Sequence, residues 1–208
     1  PALERTGEIH AHDETTLSFR TGGRILTRSV DIGDRVTAGQ LLATLDNTTG
    51  QNQLDSAEAD YEGAKASAQV AALNVSRMQK LMPTGAIART QLDSARADWL
   101  VARARLKSSE AAWRNARESL GWTRLIAPQA GVIPAVNASA GQVVSDGQSV
   151  LTLATGKDRD VVFDIATPDA IPPLDKVVLQ VSLLSAPSVQ ASAVLRDITP
   201  QADPQTRT

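Results

Sequence analysis

The sequence predicts an elongated α+β protein: a small β domain written in two halves, split by a long antiparallel helical hairpin, and followed by an antiparallel β unit. Three observations carry this expectation. Residues 33–40, "GDRVTAGQ", and residues 141–148, "GQVVSDGQ", repeat one G-x-x-V-x-x-G-Q phrase. Between the two copies lie two Ala-rich stretches whose apolar residues recur every seventh position. After the second copy come short runs that alternate apolar and polar residues.

Composition narrows the function. The 208 residues are 42% apolar and 21% charged, as in an ordinary soluble globular chain. A formal net charge of −2 offers no basic surface to a polyanion, so nucleic acid is not the expected partner. The absence of cysteine removes disulfides, thiolate metal sites and a cysteine nucleophile. With 3% aromatic residues, small side chains must do much of the packing, which suits long helices with alanine seams. No apolar run approaches the roughly 18 residues of a bilayer span, and the first residues, "PALERTGEIH", carry no signal pattern. The expectation is a cytosolic chain or one whose targeting segment has been removed.

Residues 4–19 alternate loosely and are rich in Thr, which predicts extended chain. The first half-repeat follows, with "RILTRSV" and "QLLATL" as strands and Gly23, Gly33 and Gly39 at turns. One fixed offset without a gap carries these glycines onto Gly131, Gly141 and Gly147, and carries Ile25 onto Ile133 and Val36 onto Val144. A β unit of about 25 residues cannot bury a core alone, so each half is expected to need its twin across a pseudo-two-fold axis.

From Asn47 the period changes from two to seven. In the first helix Leu54, Tyr61, Ala68, Val75 and Met82 recur, with Ala57, Ala64, Ala71 and Met78 between them. In the second, from about Arg89 to Leu120, Leu92, Trp99, Leu106, Trp113 and Leu120 recur, with Ala95, Ala102, Ser109 and Ala116 between them. Each helix should be about 50 Å long. Asn47, Thr48 or Thr49 is expected to cap the first, and Gly121 to stop the second. Folding about Gly85 sets Trp113 against Ala57, Leu106 against Ala64, Trp99 against Ala71, Tyr61 against Ser109 and Val75 against Ala95, so that large meets small. The same register brings Asp55 and Glu58 towards Arg114 and Arg117.

After Trp122 the Gly-punctuated strands return. Further on, Val161-Phe163-Ile165, Val177-Leu179-Val181-Leu183 and "VQASAVLRDI" read as strands, with a capped turn at Thr167 and Pro168 between the first two. His10 and His12 share a strand face beside Asp13 and are read as solvent-facing in preference to metal ligands. Met78 and Met82, one turn apart, are read as seam packing in preference to a Cu(I) site. No nucleophile triad, paired-carboxylate motif or phosphate loop stands out, so no enzyme and no cofactor is expected. The arginines of the second helix, interleaved with acids, read as a solvated face or as contacts between subunits.

Four stretches then carry a resemblance: "GGRILTRSVDIGDRVTAGQLLATLD", "TRLIAPQAGVI", "GQVVSDGQSVLTLA" and "ITPQADPQTRT". The two halves resemble those of a biotinyl/lipoyl domain. Their splitting by a hairpin resembles the periplasmic adaptors, or membrane fusion proteins, of tripartite efflux pumps, and the "DP-x-TRT" phrase resembles the branch serving resistance-nodulation-division (RND) transporters. The resemblance implies four segments. Residues 1–16 would be a strand of the barrel or membrane-proximal region, 17–46 with 122–155 the lipoyl-like domain, 47–121 the hairpin, and 156–208 an incomplete antiparallel β-barrel. It implies attachment to an inner membrane through a segment outside this chain, in a Gram-negative periplasm. The implied partners are an RND-type inner-membrane transporter, an outer-membrane channel and further copies in a ring, with a hexamer among the allowed sizes.

Carrier chemistry would need a modified lysine at the turn between the half-repeats. Asp46 and Asn47 stand there, where the hairpin begins. In the resembled family the tip pattern is Arg, a Leu four residues on, and a Ser seven beyond. Here Arg77 and Leu81 match and the third position is Ala88, with Arg89 or Thr90 next to it to compensate for the lost hydroxyl. The resemblance assigns Arg77 to hydrogen bonding with the channel and Leu81 to packing at the tip. An adaptor of an ABC-type or type I secretion exporter is the nearest alternative, and a carrier domain or a coiled-coil scaffold is the alternative from another class.

Overall fold

The structure, a computed structural model, describes residues 4–165 and 177–199. The turn expected at Thr167 and the closing "DPQTRT" phrase lie outside the described residues. Among these, the order is β1 (Glu8–Ser18), β2 (Gly23–Arg28), β3 (Arg35–Val36), β4 (Leu41–Leu45), α1 (Thr48–Leu81), α2 (Arg89–Gly121), β5 (Arg124–Ile126), β6 (Gly131–Val136), β7 (Val143–Val144), β8 (Ser149–Val162), β9 (Val178–Ser182) and β10 (Gln190–Val194). The class is α+β, with a two-helix hairpin flanked by sheets. Contacts divide the chain into Asp13–Gly156 and a second unit of Pro1–His12 with Lys157–Thr208.

Within Asp13–Gly156, two four-stranded sheets, β1-β8-β6-β3 and β5-β4-β2-β7, enclose the core. The sequence repeat is visible as register. Thr27 pairs with Thr44 and Arg28 with Ala43; the repeat's offset carries these pairs onto Ala135–Thr152 and Val136–Leu151. Arg35 pairs with Val132, and its counterpart Val143 pairs with Arg24. Each half therefore lends its short strand to the other half's sheet.

The repeated glycines are where the halves are joined. Gly33 N–H donates to Ile133 O at 2.7 Å and Gly141 N–H to Ile25 O at 2.7 Å, while Gly39 donates to Ala127 O and Gly147 to Phe19 O. All four have φ between +75 and +90, where a β-carbon costs about 1–2 kcal/mol. The Gln after three of them closes its own turn: Gln40 accepts from Thr37 N–H, Gln142 from Ser139 N–H and Gln148 from Ser145 N–H. Asp34 does the same for Asp31 N–H in the fourth turn. This is the physical content of the G-Q phrase. Gly23 and Gly131, expected at turns, instead open strands β2 and β6 and lie outside the left-handed region, because their place is beside a neighbouring strand. The core between the sheets fully buries Phe19, Ile25, Leu42, Leu45, Ile133, Val150, Leu151 and Leu153, each a contribution of about 1.5–3 kcal/mol.

The hairpin leaves this core between β4 and β5. Ala64, Ala68, Leu92 and Ala95 are buried, and Leu54, Tyr61, Val75, Trp99, Leu106, Trp113 and Leu120 are half-buried, a single stripe on each arm. At the root an ideal β-carbon on Gly50 would lie 3.2 Å from Leu120 Cδ1, so the arms approach closely there.

Three local expectations are corrected. Asn47 holds the cap position but makes no side-chain bond; Asp46 supplies the oxygen, accepting from Thr48 N–H at 3.0 Å and from its hydroxyl at 2.8 Å. Those two donors, the backbone one first, hold the Asp46 carboxyl below its usual range. Gly121 does not stop α2: it is helical, and Trp122 ends the helix in right-handed conformation, with Thr123 Oγ1 donating to Leu120 O at 2.7 Å. The expected ion pairs of Asp55 and Glu58 with Arg114 and Arg117 do not form among the described residues. Asp55 accepts from Gln51, and Arg117 lies over Trp113 of its own helix.

In the second unit β9 and β10 form an antiparallel pair running from Gln190–Ser182 to Val194–Val178. Val177, Leu179 and Val181 are half-buried and alternate with exposed neighbours. The alternation at Val161-Phe163-Ile165 is strand only as far as Val162.

Candidate functional site

The far end of the hairpin presents a compact exposed tip. α1 ends at Leu81, a single 3-10 turn spans Met82–Thr84, and Gly85 reverses the chain at φ +74. Pro83 favours this stop because it cannot continue the helical hydrogen bonding. Thr84 fastens the turn, its hydroxyl donating to Leu81 O at 2.6 Å and accepting from Ala86 N–H at 3.4 Å.

On the return arm, Gln91 accepts from Ala88 N–H at 3.0 Å, half of a capping box. Ala88 has no oxygen to complete the other half. A hydroxyl at this position would serve helix capping as well as any partner, so the departure from Ser has a structural side.

Arg77, Ala88 and Arg89 are exposed, whereas Leu81 and Ile87 are half-buried against the tip. Among the described residues neither Arg77 nor Arg89 has an ion-pair partner. The tip thus offers two unpaired guanidinium groups around a small apolar centre, suited to hydrogen bonding with carbonyls or carboxylates of another surface. Met78 and Met82 are half-buried at the tip end of the seam. Thr84, which holds the turn, carries no sequence signal beyond its place between Pro83 and Gly85.

Behind the tip, Tyr61 and Trp113 stack with centroids 5.4 Å apart and planes 10° from parallel. This large-to-large contact departs from the expected pairing of Tyr61 with Ser109 and Trp113 with Ala57, because the long rings reach along the seam to the adjacent layer. Each ring also carries a cation from the next turn of its own helix, Lys65 over Tyr61 at 4.7 Å and Arg117 over Trp113 at 4.8 Å. Arg103 lies over Trp99 in the same way, at 5.4 Å.

The second unit contains a charged cluster that sequence reading did not bring together, because its members are far apart in the chain. His12 Nδ1 lies 3.1 Å from Asp160 Oδ2, and Arg196 Nη2 donates to the same oxygen at 3.0 Å. Arg196 Nη1 approaches His12 Nδ1 at 2.6 Å; since Arg only donates, a neutral His12 accepts there or donates to Asp160, never both. His10 faces Glu8 at 3.4 Å. Among the described residues no group of three or more acids and histidines is placed to hold a metal ion.

The hydrogen bond from His12, followed by the charge of Arg196, holds the Asp160 carboxyl below its ordinary 3.8. A depressed folded value means this contribution is present above 3.8 and is lost as pH falls through the folded value. Asp160→Asn is accordingly expected to weaken the second unit at neutral pH and to flatten its acid dependence. Melting followed from pH 7 to 2.5 checks this; parallel curves for both proteins would contradict it.

Fold and tip together give a two-fold β platform that carries a long two-helix arm with an exposed basic end. The chain belongs to the RND membrane fusion protein family, whose barrel-sandwich hybrid domain profile matches residues 14–155. It is 34% identical over 160 residues to the multidrug efflux pump subunit AcrA of Escherichia coli K12, covering 77% of this chain and 40% of that one. It is 29% identical over 212 residues to the macrolide export protein MacA of Yersinia pestis, covering 94% and 57%. The chain therefore spans 40% to 57% of the length of these curated relatives. The solved structure of MacA from Actinobacillus actinomycetemcomitans shares the fold, with a TM-score of 0.66 and 24% identity over 95% of this chain and 66% of that one. Among the described residues no helix is long and apolar enough to cross a membrane.

Proposed function

We propose that the whole protein is a non-enzymatic periplasmic adaptor of a tripartite efflux pump, bridging an inner-membrane transporter of the RND type and an outer-membrane channel. The observation that carries this is a seamed hairpin of 34 and 33 residues, with an exposed Arg77/Arg89 tip, inserted between the halves of a two-fold β domain. Such an arm spans about 50 Å and works by reach and docking. The β platform offers lateral contacts to further copies in a ring, and the second unit offers a surface for the transporter. Carrier chemistry finds no support, because β4 runs into α1 through Asp46 and Asn47.

The absence of cysteine from these 208 residues leaves the hairpin free for single labels. Ala88→Cys in the full-length protein is expected to crosslink, in intact cells, to single cysteines around the entrance of its outer-membrane channel. Arg77→Glu should reduce that crosslinking at least tenfold while leaving the helical signal unchanged. Export and folding without crosslinks to any channel would move the assignment to another exporter class or to a scaffold.

A further inference from the structure

All the sulfur in these 208 residues lies within one helical turn at the tip end of the hairpin. The chain has 2 methionines and no cysteine, and the methionines are Met78, in the last turn of α1, and Met82, which caps that helix. Both side chains are half-buried, so each helps to close the seam and is still within reach of a small solute. Their backbone places matter as much. Met82 N–H donates to Met78 O at the end of α1, and Met82 O accepts from Gly85 N–H at 3.2 Å, the bond that closes the reversal. Met78 directly follows Arg77, and Met82 directly follows Leu81. The register that sets Val75 against Ala95 sets Met78 level with Leu92, which is buried, and Met82 level with Ala88.

A thioether is readily oxidised by a hydroperoxide. The sulfur lone pair attacks one peroxide oxygen, the O–O bond breaks, an S–O bond forms, and the second oxygen leaves as water. Sulfur gives up two electrons and the peroxide takes them. The product carries a strong hydrogen-bond acceptor on what was an apolar side chain. Neither Leu92 nor Ala88, its neighbours in the register, has a side-chain donor to offer. A sulfoxide kept in the seam is therefore an unsatisfied acceptor, and one that turns out to water leaves a gap beside Leu92. Either outcome loosens the end of the seam.

We propose that Met78 and Met82 form an oxidation site that switches the tip. As thioethers they hold the reversal closed; as sulfoxides they release it and draw Arg77 and Leu81 out of the arrangement that presents them. The change is reversible, because methionine sulfoxide reductases return the thioether. Placement distinguishes this from incidental damage. Leucine fills half-buried seam positions along the arms, at Leu54, Leu106 and Leu120, and resists oxidation. Methionine stands only at the end that a docked partner would cover, so the free tip is the form open to the oxidant. Loss of docking rests on the adaptor reading, whereas oxidation and opening of the tip do not.

The full-length protein is treated with hydrogen peroxide, with free methionine present as a standard, and mapped by peptide mass. One oxygen is expected at each of Met78 and Met82, and the amides between Leu81 and Ile87 should exchange several-fold faster while the β platform keeps its protection. Reductase treatment should reverse both changes. Met78→Leu with Met82→Leu, a change of similar volume, should keep slow tip exchange after the same treatment. Met78→Gln with Met82→Gln places polar groups there without an oxidant and should reduce the Ala88→Cys crosslink to the channel several-fold. No oxygen at either sulfur while free methionine is consumed, or oxygen at both with tip exchange unchanged, would overturn the inference. So would full crosslinking by the Gln variant. If Ala88→Cys gives no crosslink with both methionines in place, docking fails on its own account, and tip exchange alone decides the oxidation site.

Discussion

Gly131→Ala is expected to disrupt the β platform, whereas Gly23→Ala, the same change at the equivalent position of the other half, is expected to be tolerated. An ideal β-carbon on Gly131 would lie 2.3 Å from Ala154 O and 3.0 Å from Leu153 Cδ1. The carbonyl belongs to β8, whose Ala154 pairs with Val132, so it cannot retreat without opening the ladder. On Gly23 the nearest atoms are Leu45 side-chain carbons at 3.5–3.9 Å, ordinary contacts.

The asymmetry has a cause in the chain's path. Beyond Leu45 the backbone turns away at Asp46 into α1, while beyond Leu153 the strand continues. A cost of about 3 kcal/mol or more is expected for Gly131→Ala and less than about 1 kcal/mol for Gly23→Ala, read from urea unfolding of the two variants. Equal tolerance at both positions would show that β8 does not hold its place beside Gly131.

The contrast between these two glycines shows what a sequence repeat discloses and what it hides. The offset that aligns Gly23 with Gly131 also aligns the bonds of Gly33 with those of Gly141 and of Gly39 with those of Gly147, because backbone conformation is dictated locally. It cannot disclose that one half is interrupted by a helix where the other runs on. Seam residues such as Ala64, Ala68, Leu92 and Ala95 were legible because a heptad fixes which side of a helix meets its partner.

Capping was less legible. Asn47, Thr48 and Thr49 are all good caps, yet Asp46 wins because β4 delivers it with its carboxylate facing Thr48. The cluster of His12, Asp160 and Arg196 had no local signal at all, since only strand pairing brings such distant residues together. At the tip, sequence located Arg77, Leu81 and Ala88. The hydroxyl of Thr84 that fastens the turn became visible only in three dimensions.

The second large effect is expected at Trp113. Trp113→Ala removes a half-buried indole from the seam, the stack on Tyr61 and the seat of the Arg117 cation together. Trp99 occupies the same heptad position two repeats earlier and has its own cation, Arg103, but no aromatic partner is recorded for it among the described residues. Truncating either indole should ease opening of the hairpin by about 2–4 kcal/mol, and Trp113→Ala should exceed Trp99→Ala by about 0.5–1.5 kcal/mol, the usual worth of an aromatic pair.

Hydrogen exchange of the α1 amides around Ala64 reads this locally. A loss of about 2 kcal/mol lowers protection roughly 30-fold while the β platform keeps its own. A double-mutant cycle with Tyr61→Leu isolates the stack: its coupling energy should account for the difference between the two tryptophans. If the cycle closes with no coupling, the difference lies in packing against alanine, and the seam is held by its layering of large against small alone.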